Sequence, residues 1–195
     1  MRRCSAAELL LGVVVAATGT TTATLAEPVV RQTFYYYDVA GSTAQELRTE
    51  LNRHGPFDLQ GRRFDGFTRW YVRWRYSYNS GPQACAIASV ATTVDIAITL
   101  PRLSAESAPP FGLRGTFSDY IDKLRVHENG HAQIAINIAK RIEDGISALS
   151  PEDTCDRLGQ VANDLGHSLI REANQQDIDY DGRTQHGRTQ GVQFP

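Results

Sequence analysis

The chain is 195 residues long, 41% hydrophobic and 22% charged, with a formal net charge of −2. That is the composition of one globular domain able to bury a core, and it excludes a long disordered or low-complexity chain. The near-neutral balance gives no electrostatic reason to expect nucleic acid or an acidic membrane as partner.

Residues 1–26 read as a signal peptide. Arg2 and Arg3 open it, Leu9 to Ala17 is a short apolar run, and Thr24-Leu25-Ala26 offers small residues at the positions a signal peptidase reads. The run is too short for a stable membrane anchor, and no other stretch is apolar enough to span a bilayer. Export to the periplasm or the medium is expected, leaving residues 27–195 as the mature domain. Cys4 leaves with the peptide, so Cys85 and Cys155 remain as an even pair bound for an oxidising compartment. A disulfide between them closes a loop of about 70 residues and constrains the unfolded chain by roughly 4 kcal/mol.

Thr33 to Val39 is rich in strand formers, and Ser42-Thr43-Ala44-Gln45 then opens a short helix that Gly55-Pro56 ends. From Thr68 to Tyr78, Trp70, Val72, Trp74, Tyr76 and Tyr78 point one way, while Arg69, Tyr71, Arg73, Arg75 and Ser77 point the other. After the turn Asn79-Ser80-Gly81-Pro82, the run Ala84 to Leu100 alternates in the same manner. The two segments predict a long antiparallel hairpin with one face against helices and one face in solvent. Arginines interleaved with aromatics also suit nucleic acid, but the export signal and the overall charge favour a solvated face. A free edge of this hairpin could instead receive an extended peptide as an added strand.

Pro101 to Gly115 holds three prolines and reads as a loop. A helix is expected from the capping sequence Thr116-Phe117-Ser118-Asp119 to about Leu149. A second helix is expected from Pro151, capped by Ser150, to Ala173 or somewhat beyond. The predicted fold is α+β: a small, mainly antiparallel sheet packed on a long two-helix hairpin.

The first long helix carries His127-Glu128-Asn129-Gly130-His131, a His-Glu-x-x-His pattern. Residues four apart stack on one helix face, so both imidazoles can ligate one metal while Glu128 borders its open position as general base. His127 and His131 fall in a row with Ile121, Leu124, Ile134, Ile138 and Ile142, and this row should face the interior. A catalytic zinc takes three protein ligands and leaves a fourth position to water. Position 137, where a third nearby histidine would stand, is Asn. The remaining candidates are His186, His167 and Glu172, and His186 is preferred because the return helix should end near the signature. Tyr180, Asp181 and Thr184 share the closing segment with His186. A carboxylate there could hold the far nitrogen of a metal-bound ring.

Together these features resemble a bacterial family of predicted secreted zinc-dependent proteases, otherwise a domain of unknown function. The resemblance rests on Tyr36-Tyr37-Asp38-Val39, the segment Gly61 to Trp74, Ile98-Thr99-Leu100-Pro101, the zinc signature, Tyr180-Asp181 to Gln190-Gly191, and both remaining cysteines. It implies a zincin-like domain in which His127, His131 and His186 hold zinc and Glu128 is catalytic, acting on a peptide or protein substrate. Two other readings compete with it. One is an envelope binding or assembly module with a structural or lost metal. The other is a hydrolase of a different amide, such as a cell-wall crosslink.

Overall fold

The computed structural model describes residues 27–58 and 60–195, so the expected signal peptide lies outside the described residues. Three strands form one sheet in the order β1-β3-β2: β1 is Val29–Val39, β2 Phe67–Ser80 and β3 Cys85–Leu103. β2 and β3 make the expected antiparallel hairpin, with Trp70 opposite Ile96 and Val72 opposite Val94. β1 lies parallel to β3, with Phe34 beside Ile98, so the sheet is mixed rather than mainly antiparallel. The connection through helix α1 (Ala44–His54) is long enough for such a crossover, a pairing that strand propensity alone does not encode.

α1 begins with a full capping box: Thr43 accepts from the Glu46 amide, and the Glu46 carboxylate accepts from the Thr43 amide. Its Leu47 and Leu51 close over Val39 at one end of the sheet. On the inner face of β3, Val94, Ile96, Ile98 and Leu100 are sealed against helix α2 (Phe111–Ser147), whose Leu124, Ala132 and Ala135 complete this core. Ile138, Ile142 and Ile146 pack instead on Ala162, Leu169 and Ala173 of helix α3 (Cys155–Thr184). Each of the valines, leucines and isoleucines among them contributes about 1.5–3 kcal/mol when removed from water.

Both helix starts differ from expectation. β3 runs on through Pro101 to Leu103, and α2 begins at Phe111 after Pro110, five residues before Thr116. Thr116 sits inside the helix, its hydroxyl donating to the Gly112 carbonyl. α3 begins at Cys155, capped by Thr154, because Glu152 is occupied in backbone pairing with Cys85. The expected Cys85–Cys155 disulfide is formed beside that pairing, with a Cα–Cα distance of 5.1 Å. α3 also continues past Ala173 to Thr184, so Tyr180, Asp181 and Thr184 are helical. Among the described residues no helix is long and apolar enough to cross a membrane.

Candidate functional site

α2 and α3 run antiparallel, and the end of α3 returns to the middle of α2 where the His-Glu-x-x-His sequence lies. The close approach depends on Gly130. Tyr180 of α3 sits directly over it, and a Cβ at that position would lie 2.1 Å from the phenol oxygen. The Tyr180 ring stacks on His127 with centroids 5.1 Å apart, and its hydroxyl donates to the His127 carbonyl. That hydroxyl also accepts from Gln190 Nε2 at 3.0 Å. With both capacities used, Tyr180 positions His127 and is not presented as a donor to a reacting oxygen.

The two imidazoles are oriented from behind. His127 Nδ1 donates to Gln190 Oε1 at 3.0 Å, and His131 Nδ1 donates to Asp177 Oδ1 at 2.8 Å. Asp177 is fixed in turn by Trp70 of β2, whose indole N–H donates to Oδ2 at 2.8 Å. Both Nε2 atoms are thereby turned to the same point, where they meet one oxygen of Asp181 at 3.3 and 3.2 Å. Ligand atoms of His127, His131 and Asp181 all lie within 4.8 Å of one another.

With the Nδ1 protons committed elsewhere, three lone-pair bearers converge on this point. Such a meeting is repulsive unless a proton or a cation lies among them. The surroundings of His131 favour the proton. Burial pulls His131 down, yet hydrogen bonds to Asp177 and Asp181 carry its pKa up to about 10. Burial likewise opposes ionisation of Asp181, but hydrogen bonds from His127 and His131 hold its carboxyl well below the usual range. Two imidazole nitrogens and a carboxylate oxygen are also a donor set that suits zinc. The residues therefore fit such an ion, with Asp177 and Gln190 orienting the rings from outside.

Glu128 is 4% exposed and lies beside this point. Thr68 of β2 donates to its Oε2 at 2.7 Å, and Gly66 leaves room for its Oε1, which a Cβ there would approach to 2.7 Å. Burial raises the Glu128 pKa, against the Thr68 hydrogen bond and the neighbouring imidazoles, which lower it. The Gly66 turn is anchored at Asp65, which binds Arg48 and Tyr120 through its carboxylate and accepts from Tyr37 through its carbonyl. His127, Glu128, His131, Asp181 and His186 line one cleft, whose opposite wall is the segment before β2.

His186 reaches that cleft by an unusual backbone path. Gln185, His186 and Gly187 all have positive φ (51°, 52° and 82°), which is costly for the first two. Its ring is 59% exposed and its Nδ1 lies 3.4 Å from Asp181 Oδ2, on the far oxygen of the carboxylate that faces His127 and His131. One carboxylate thus touches all three imidazoles. Thr184 closes the helix end, donating to the Tyr180 carbonyl and accepting from the Gly187 amide. The other two candidates lie elsewhere. His167 packs edge-on against Trp74 toward the opposite end of α3, and Glu172 pairs with Arg141 at the surface. Asp177, Thr68, Trp70 and Gln190 carry roles the sequence reading did not assign. The i, i+4 spacing of Asp177 and Asp181, which repeats that of His127 and His131, was the available signal.

The family model described as "Bacterial protein of unknown function (DUF922)" matches residues 34–187. The chain belongs to this family. The matched span runs from β1 to the residue after His186 and so contains every side chain assigned to the site above except Gln190. Neither a search of curated proteins nor one of solved structures returned a match.

Proposed function

We propose that the protein is an exported, zinc-dependent hydrolase of zincin-like design that cleaves peptide bonds. The observation that carries the reading is the convergence of His127 Nε2, His131 Nε2 and Asp181 on one point with the buried Glu128 carboxyl at its side. His127, His131 and Asp181 would hold the ion. Zinc in such a site supplies a Lewis acid that lowers the pKa of water and polarises a carbonyl.

The chain's own residues account for the rest. Glu128, raised by burial and oriented by Thr68, accepts a proton from the attacking water and returns it to the leaving amine. Asp177 and Gln190 keep both Nδ1 atoms protonated, so that Nε2 is the ligating nitrogen. His186, exposed on the outer side of Asp181, faces the space where a scissile bond would lie. From the cleft a groove continues along β2 from Phe67 to Trp74, with His167, Ile170 and Asn174 of α3 as its other wall. β2 is an edge strand, so an extended peptide can pair with its free side. The disulfide is consistent with export to an oxidising compartment.

The test is metal analysis of purified residues 27–195 together with hydrolysis of an unstructured protein such as casein. About one zinc per chain and chelator-sensitive cleavage are expected. Glu128→Gln should keep the metal and lose at least ~100-fold in turnover. A zinc-free protein, or a Glu128→Gln variant as fast as wild type, refutes the reading. Asp181→Ala should lose stoichiometric zinc while His186→Ala keeps it; the reverse pattern makes His186 the third ligand.

A further inference from the structure

The solvent face of the sheet sets a row of exposed arginines and tyrosines beside short residues of the central strand. Along β2, Arg69, Tyr71, Arg73 and Arg75 project outward from consecutive same-face positions, about 6.8 Å apart. On β1, Arg31 and Tyr35 project from the same face. Between them the central strand offers the short residues Ala91, Thr93, Asp95 and Ala97. Long side chains on both edge strands flank short ones in the middle, and Arg31 and Arg73 lean inward to Asp95, so the face is a shallow, arginine-floored trough about 10 Å across, the width of two strand spacings.

Its charge runs against that of the chain. Four arginines surround one carboxylate, Asp95, to which Arg31 and Arg73 both pair, while the whole protein has a net charge of −2. Among the described residues Arg69 and Arg75 have no carboxylate within ion-pair reach. Tyr71 and Tyr35 are 62% and 56% exposed, so their ring faces are open to a ligand.

We propose that this trough binds a single extended chain of an anionic polysaccharide, with acidic sugars set against Arg69 and Arg75 and sugar rings against Tyr71 and Tyr35. A peptide cannot join here as a strand, because it is a face and the backbone groups are already paired between strands. A phosphodiester backbone presents acceptors only and has no donor for the Asp95 carboxylate at the floor of the trough. Sugar hydroxyls donate to it, and they also accept from the Thr93 hydroxyl. The disulfide points to a compartment outside the cytoplasm, where such polymers are available. The trough shares Arg69 and Tyr71 with the β2 wall of the proposed substrate groove, and Phe67, stacked under Arg69, also belongs to the rim of the cleft.

The experiment is titration calorimetry of residues 27–195 with an oligogalacturonate, a neutral maltooligosaccharide and a single-stranded oligonucleotide. Saturable binding of the uronate alone is expected, weakened by salt. Arg69→Ser with Arg75→Ser should weaken it by ~10-fold or more, and Tyr71→Ala by roughly 5-fold. All these positions are on the solvent face, and circular dichroism checks that each variant is folded. Absence of uronate binding, equal binding of the neutral sugar, tighter binding of the oligonucleotide, or indifference to the arginine substitutions overturns the proposal.

Discussion

Gly130→Ala offers a sharp test of the helix contact that assembles the site, because local and tertiary effects predict opposite signs. In an ordinary helix interior this change stabilises by about 0.8–1 kcal/mol, through the higher helix propensity of alanine. Here the new Cβ would lie 2.1 Å from Tyr180 Oη, 2.3 Å from Cζ and 2.7 Å from Cε1, all inside contact distance. The ring cannot slide freely, since its hydroxyl is held by the His127 carbonyl and Gln190 and its face rests on His127. Overpacking of this kind costs about 1–3 kcal/mol net, which for a domain of this size lowers Tm by roughly 3–10 °C. Metal affinity should fall as well, because a displaced Tyr180 releases His127. In a Tyr180→Ala background the clash is gone, and the same glycine substitution should raise Tm. Thermal unfolding of the four proteins in the cycle, with chelator present, isolates the coupling. A single Gly130→Ala variant more stable than wild type would mean that α3 does not cross α2 at this point.

Three further outcomes follow from named contacts. Asp177→Asn, which cannot accept the His131 Nδ1 proton as a carboxylate does, should weaken zinc binding by ~10–100-fold in a chelator competition; unchanged affinity would remove Asp177 from the site. Replacing Cys85 and Cys155 by serine should cost roughly 4 kcal/mol in denaturant unfolding, given a sequence separation of 70, and a cost near zero would show the bridge to be dispensable. The chelated protein should also lose stability as pH rises. The His131 pKa is lifted from its ordinary 6.5 to about 10, so its contribution is complete below pH 6.5 and declines toward pH 10. Tm measured across that range should fall in wild type and fall less in Asp177→Asn; parallel slopes would refute the assignment.

What the sequence made legible is what local pattern encodes. The alternation from Thr68 to Tyr78 placed Trp70, Val72 and Trp74 on the inner face of an antiparallel hairpin, and the 3.6-residue period placed His127 in the row of Ile121, Leu124 and Ile138 on α2. The pair of cysteines left after residue 26 named the disulfide. What stayed hidden depends on partners distant in the chain. The parallel pairing of β1 with β3 is a choice among edges that Phe34 and Tyr36 do not state. The late start of α3 comes from the Cys85–Glu152 backbone pairing, against a proline and acidic residues that favour an earlier start.

The centre of the site shows the same division. Half of it, the two histidines and the glutamate, is written as a compact motif on one helix, where spacing alone aligns the rings. The other half is Asp177 and Asp181 on α3, equally well spaced but polar residues on a helix where a solvated face is the default interpretation. Only the crossing at Gly130 turns that face inward, bringing Asp177 to one nitrogen of His131 and Asp181 to the other. The two i, i+4 pairs therefore act as complementary halves, imidazoles on α2 and carboxylates on α3, each aligned by its own helix and brought within hydrogen-bond reach by the glycine–tyrosine contact. This is why loss of that contact should loosen the proposed metal donors, although neither Gly130 nor Tyr180 is one of them.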